Sequence, residues 1–326
     1  MPNHTTLPAR RRMARGPLPV LGAAVLWGTT GTASSLAPDG AHAAAIGAAG
    51  LTLGGLLLFL TGRGSLALVR ATDTRTRWVL ALGALAVAGY PLSFYPAVDQ
   101  AGVAVATVIT LGSAPVFSGL LAWWTERVRP TRRWSAATVA AVAGCAVLVF
   151  GSEAAGDGAN AAGVFLALTA GASYALYAVI AGALIRRGHP SGAVMGALFA
   201  GGGLVTLPVL LSADTAWLAT ASGALVALHL AMLTVFVAYR LFGMGLRHTP
   251  ASVATTLTLA EPAVAALLGV VVVGERLSAA SWAGMAVLAL GLVILRAPEP
   301  RRQGPSGPGG RAPGPTAARG GGAPDR

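Results

Sequence analysis

Residues 239–277 read YRLFGMGLRHTPASVATTLTLAEPAVAALLGVVVVGERL. One apolar helix closes at Arg247, a polar turn follows, and a second apolar helix begins near Pro250. Glu261 lies eleven residues into that second helix. At 1.5 Å of rise per residue its carboxylate is about 16 Å deep, close to the middle of a hydrocarbon layer about 30 Å thick. An ionisable group at that depth costs about 2.5–3.5 kcal/mol or more, so it belongs in a protein interior or a wet cavity. Pro262 removes one helical hydrogen bond and predicts a freed carbonyl at Thr258.

The whole chain fits a membrane setting. Of 326 residues, 55% are hydrophobic and 10% charged, against about 25% charged in soluble domains. Too few polar side chains exist to cover a water-facing surface. The net charge of +12 comes from arginine, with no lysine anywhere. Because these arginines sit in connections and tails, they set orientation in the bilayer, and no nucleic-acid partner is expected. The single cysteine, Cys145, rules out an intrachain disulfide and a cysteine-based metal site. There is no Walker loop, HExxH or GxSxG, so neither ATP-driven transport nor familiar hydrolase chemistry is supported.

Ten apolar segments are expected as spans: 17–37, 42–61, 77–97, 101–124, 134–151, 160–185, 191–212, 217–246, 250–273 and 279–296. Residues 1–16, with Arg10, Arg11, Arg12 and Arg15, read as a polar N-terminal tail. A secretory signal is the competing reading, against which the first apolar run is too long. Arg63, Arg70, Arg75 and Arg77, then Arg127, Arg129, Arg132 and Arg133, then Arg186, Arg187, Arg247, Arg296, Arg301 and Arg302 fall on one side with the N-terminus. The positive-inside rule makes that side the cytoplasm. The opposite connections carry Asp39, Asp99, Glu153, Asp157 and Asp214, with Arg276 the one arginine. Residues 297–326 are rich in Gly, Pro, Ala and Arg and are expected to be a disordered cytoplasmic tail. Gly50 and Gly54 form a small-residue motif that reads as close packing; a homodimer stays an open alternative.

The chain also echoes itself. Val105-Ala106-Thr107, Thr110-Leu111 and Pro115 answer Val253-Ala254-Thr255, Thr258-Leu259 and Pro262. Trp27, Glu126 and Trp134 answer Tyr174, Glu275 and Trp282, all at offsets of 147 to 149 residues. A nearly constant offset points to a duplicated unit. The expected organisation is a first five-helix repeat at 17–151, an extracytoplasmic linker at 152–159 and a second repeat at 160–296. Five is odd, so the copies insert in opposite directions, and inverted repeats recur in secondary transporters with the site at their interface.

The WGTTG of the first span, the run GLRHTPASVATTLTLAEPAVAALLG and the closing GERLS resemble the EamA family of the drug/metabolite transporter superfamily. The resemblance spans residues 17–296 and is looser in the first half, where Ala114-Pro115 replaces Glu-Pro. It implies an all-α integral membrane fold of ten helices in two inverted five-helix repeats, with both termini in the cytoplasm. It also implies export of small metabolites, amino acids or drugs across the plasma membrane.

Glu261 is the leading candidate for a proton-loading or substrate-contacting group. Arg240, on the preceding helix, is either a snorkelling arginine or its partner. His229 is a candidate on the same path, with hydrogen-bonded packing as its alternative. No second histidine or carboxylate stands at ligand spacing from it, so neither a metal nor a cofactor is expected. Trp27, Thr30 and Ser34 share one helix face, as do Thr169, Ser173 and Tyr177. With Tyr174, Tyr90 and Tyr95 they are the expected cavity lining. Pro115 and Pro262 occupy equivalent places and are the expected helix breaks. These features predict a secondary transporter, a proton-coupled exporter, that takes a small-molecule substrate within the lipid bilayer. The alternatives are an uncoupled facilitator and, from another class, a membrane-embedded enzyme or receptor for a lipid-like ligand.

Overall fold

The computed structural model describes residues 16–38, 40–71, 73–127, 129–151, 160–274 and 276–296. The expectations resting on Arg10, Arg11, Arg12, Arg15, Asp39, Glu153, Asp157, Glu275, Arg301 and Arg302, and on the linker and C-terminal tail, lie outside those residues.

The described residues are helical. In chain order they form α1 (Pro17–Gly28), α2 (Thr30–Ser34), α3 (Ala43–Thr61), α4 (Ser65–Ala71), α5 (Thr74–Ala101), α6 (Val103–Glu126) and α7 (Arg132–Phe150). The second half holds α8 (Ala161–Arg186), α9 (Ser191–Ser212), α10 (Ala221–His229) and α11 (Ala238–Leu246). It closes with α12 (Ala251–Leu257), α13 (Ala260–Leu268) and α14 (Ala279–Arg296). A π-helical stretch, Leu230–Val237, joins α10 to α11, and another, Gly269–Val273, extends α13. Eight of the resulting rods are long and apolar enough to cross a membrane. Two of the ten expected spans fall outside that set. The first is divided at Thr29, and the last carries a shorter apolar helix, Ala279–Leu295.

Local chemistry explains the ends. Asn160 and Thr220 accept hydrogen bonds from the backbone N–H groups of Gly163 and Gly223, three residues on, and so cap α8 and α10. Gly102, at φ +79°, turns the chain sharply from α5 into α6. The outward surface is apolar: Leu211, Val271 and Trp124 are each more than 70% exposed. Trp78 and Trp124 sit at helix ends beside the arginine-rich connections, where interfacial tryptophans belong.

Two corrections concern helix continuity. The first apolar segment is not one rod. Gly28, two threonines and Gly31 are weak helix formers, and the Thr29 hydroxyl donates back to the Leu26 carbonyl at 2.6 Å. Pro115, expected to break its helix, is carried inside α6 without interruption. The break occurs in the other half only, just ahead of Pro262.

The packing is organised by two antiparallel seams. α3 lies along α9, and α7 along α14, in the most extensive helix contacts of the fold. In the second seam Gly144 faces Leu288, Leu148 faces Gly284 and Ala141 faces Gly291, so one strand of the pair descends as the other rises. A Cβ on Gly284 would lie 2.8 Å from the Leu148 Cα, and one on Gly144 would lie 2.7 Å from the Gly284 carbonyl. Polar links close both ends. Arg133 Nε donates to the Ile294 carbonyl at 2.8 Å, and Ser278 Oγ donates to the Gly151 carbonyl at 2.6 Å. In the first seam Gly55 meets Phe199, and Gly196 meets Leu58 and Phe59. Close approach of this kind is what small residues give helices in lipid, where dispersion replaces the hydrophobic effect.

Gly284→Ala places a methyl group against backbone that has no rotamer with which to yield. It is expected to destabilise the protein by about 1–3 kcal/mol. Gly31→Ala, where an added Cβ meets nothing within 4 Å, is the matched control. Thermal unfolding in detergent, followed by size-exclusion fluorescence, separates the two.

Candidate functional site

Glu261 stands in the first turn of α13, directly after the break at Thr258-Leu259. The amide of Glu261 donates to the Thr258 carbonyl at 2.9 Å, and that of Leu259 to the Thr256 carbonyl at 3.2 Å. The backbone therefore tightens to three-residue bonds around the missing proline N–H. The Thr258 carbonyl, expected to be left free, is satisfied in this way. α1 comes very close here: a Cβ on Gly28 would lie 3.0 Å from the Glu261 carbonyl and 2.7 Å from the Val264 Cβ. The Glu261 side chain is half-buried. Among the described residues no hydrogen bond or ion pair engages its carboxylate. The other acidic residues of the chain lie at helix ends, in connections or in tails.

Arg240 does not pair with it. Its guanidinium reaches Thr61 Oγ1 at 3.4 Å and lies 5.2 Å from the Phe236 ring centroid. The side chain is exposed, as a snorkelling arginine is. The Arg240–Glu261 pair is absent because the long side chain leaves its helix toward α3.

Aromatic rings from both halves gather at the break that precedes Glu261. Trp27 of α1 lies 6.4 Å, edge on, from Tyr174 of α8, 4.9 Å from Tyr239 and 5.5 Å from Phe242 of α11. Tyr177 lies 5.2 Å from Tyr174, and Phe199 of α9 lies 3.8 Å from Tyr239. Tyr90 of α5 extends the cluster, 6.2 Å from Tyr174. The hydroxyls are tied: Tyr174 to Thr258 Oγ1 at 2.8 Å, and Tyr177 to Tyr239 at 3.1 Å. Thr258 donates its own proton to the Thr255 carbonyl, so Tyr174 is the donor in the first pair.

A second set of contacts joins the two irregular rods. Trp27 Nε1–H donates to the Thr234 carbonyl, inside the π stretch, at 2.8 Å. His229 Nε2 lies 2.9 Å from Thr29 Oγ1. The Thr29 proton goes to the Leu26 carbonyl, so His229 is the donor and carries its proton on Nε2.

The remaining candidates are distributed. Thr30 and Ser34 are half-buried on α2, which packs against α10, α13 and both π stretches. The break at Thr29 separates them from Trp27, so the three do not form one continuous stripe. Ser173 Oγ points at Gly89, where a Cβ would lie 2.9 Å away, and serves helix contact. Thr169 returns its hydroxyl to the Phe165 carbonyl. Tyr95 lines a separate groove of about 210 Å³ with Ala48, Pro91, Pro96 and Thr206. A larger groove of about 470 Å³ opens between α6 and α8, lined by Phe117, Leu121, Trp123, Trp124 and Leu176. Neither groove includes Glu261. Among the described residues no three metal-ligating side chains cluster.

Tyr239, Phe242, Phe199 and Thr29 belong to this centre without having been singled out from sequence. Tyr239 and Phe242 stand three apart and share a helix face, a readable signal. Phe199 is an isolated ring in a Gly/Ala run, and only the tertiary contact identifies it.

Comparison with known proteins agrees with this architecture. The EamA-like transporter family matches the chain twice, at residues 14–150 and 161–297, and the chain belongs to that family. It is a multi-pass membrane transporter rather than an enzyme. A Bacillus subtilis (strain 168) protein, "Uncharacterized transporter YwfM", is 40% identical over 286 residues, covering 87% of this chain and 94% of that one. A solved structure, "Crystal structure of protein", matches with a TM-score of 0.71 at 23% identity. It covers 85% of this chain and 94% of its own, a likeness of fold.

The Tyr174–Thr258 contact is testable by a double-mutant cycle. Tyr174→Phe, Thr258→Val and the double variant, unfolded in bilayer-mimetic micelles, are expected to show a coupling of about 0.6 kcal/mol, the usual scale for interhelical hydrogen bonds in membranes. Additive effects would mean that the two hydroxyls do not interact.

Proposed function

We propose that the protein is a secondary transporter that exports a small organic solute, of the metabolite, amino-acid or drug class, in exchange for protons across the bacterial plasma membrane. In this reading ten spans form two inverted repeats, at 17–151 and 160–296, and both termini are cytoplasmic. The antiparallel seams support it, because α3 and α9, and α7 and α14, hold equal rank in the two halves yet run in opposite directions. The α5–α8 contact likewise has its counterpart in α1 against residues 230–246.

The observation that carries the proposal is Glu261: a half-buried carboxylate with no hydrogen bond or ion pair among the described residues, directly after a helix break whose Thr258 is bonded to Tyr174 of the aromatic cluster. A carboxyl group so placed exchanges a proton when the cavity opens to water and releases it on the other side. The neighbouring rings offer apolar faces and hydroxyl edges to a small solute. Alternating access then comes from the halves rocking about the central site.

In proteoliposomes, Glu261→Gln is expected to insert and fold as the parent does while losing the response of solute flux to an imposed pH gradient. Flux that follows the gradient equally in both proteins would remove proton coupling through Glu261. Parent flux that ignores the gradient would select an uncoupled facilitator.

A further inference from the structure

The two halves differ in one respect that duplication does not predict. Every break and π stretch in the long rods falls in the first, eighth and ninth apolar segments: at Thr29, at 230–237, at 258–259 and at 269–273. Positions about 148 residues away lie in α8, α5 and α6, which run without interruption. Thr110-Leu111, the counterpart of Thr258-Leu259, is ordinary helix, although the surrounding sequences are nearly the same. Helix irregularity is therefore confined to the rods on one side of the aromatic cluster.

These defects are bonded to one another. His229 is the last residue of α10 before the π stretch, and it meets Thr29 at the break in the first segment. Trp27, two residues earlier, meets the Thr234 carbonyl within the π stretch. A helix with a defect rearranges its backbone bonds at lower cost than a continuous one, and π insertions gather where such change is used. Side-chain contacts between two defective rods hold both in one arrangement.

We propose that the Thr29–His229 hydrogen bond is the latch of a gate made by the first, eighth and ninth segments on the face away from the arginine-rich connections, and that α5, α6 and α8 are the static wall opposite it. Thr29 and His229 act as positioning residues: they hold the gate shut without touching the solute. The assignment rests on the orientation given under the proposed function, but not on proton coupling or on the identity of the solute.

The test is chemical labelling, which needs no transport. In the full-length chain with Cys145→Ala, a reporter Ala260→Cys beside Glu261 is exposed to a membrane-impermeant maleimide from the non-cytoplasmic face of sealed vesicles. Thr29→Val and His229→Ala are each expected to speed labelling about fivefold, the factor one net hydrogen bond supplies. The double variant should match either single one. His229→Gln, which retains a donor, should restore the slow rate and guards against a mere folding defect. A companion reporter in the wall, Ser113→Cys, should not respond.

An unchanged rate in both latch variants overturns the proposal. So does equal acceleration at Ser113→Cys, which would mean that both sides move alike, and so does acceleration only from the cytoplasmic face. Loss of proton coupling with an intact labelling response would instead sink the role of Glu261 and leave the latch standing.

Discussion

A polar backbone group in hydrocarbon has no water to turn to, and each one left unpaired costs several kcal/mol. This constraint shapes the molecule. At several departures from regular bonding, a side chain from a neighbouring helix meets the backbone. Trp27 satisfies the Thr234 carbonyl in the π stretch, and Arg133 satisfies that of Ile294 at the end of α14. Tyr174 and His229 bond the hydroxyls of Thr258 and Thr29, which themselves fold back onto the preceding turn. Polar contacts of this kind tie the irregular stretches at Thr29, 230–237 and 258–259 to the helices around the aromatic cluster.

The same constraint separates what could be read from sequence from what could not. Span existence is a matter of apolar length, and length is written plainly: α3, α8, α9 and α14 lie within a residue or so of the expected segments. Helix defects are a matter of which neighbour is present. The segment around Thr110 and the segment around Thr258 share their residues but not their conformation. Pro262 stands four residues after its threonine and removes the bond to that carbonyl; Pro115 stands five after, and the helix is continuous. Nothing in hydropathy marks residues 230–237 as π-helical, because the pattern of apolar residues is uniform there. The aromatic cluster was half legible. Trp27, Tyr174 and Tyr177 follow from spacing, whereas Phe199 arrives from a helix whose sequence says only that it packs closely.

The two halves match the same family model, yet their motifs differ. Glu261 has Ala114 at the corresponding place in the first-half motif, so the carboxylate is present in one copy and absent from the other. The irregular backbone follows the carboxylate. An ionisable group in a span is tolerated where water or protein dipoles can reach it, and an uneven helix leaves room for both. The continuous helices α5, α6 and α8 carry no such group at their counterpart positions.

The seams and the centre are held together in different ways. Along α7 and α14 the contacting atoms are backbone on both sides, with Gly144 and Gly284 set against Leu288 and Leu148. Sliding either helix by one residue would drive a Cβ into a neighbouring main chain, so the register there is fixed. The aromatic centre is held differently, by ring contacts worth about 0.5–1.5 kcal/mol each and by a few hydroxyl bonds. Rings part and re-pack without changing any helix register. Register is thus fixed at the antiparallel seams, whereas the contacts between them are side-chain contacts that impose no register.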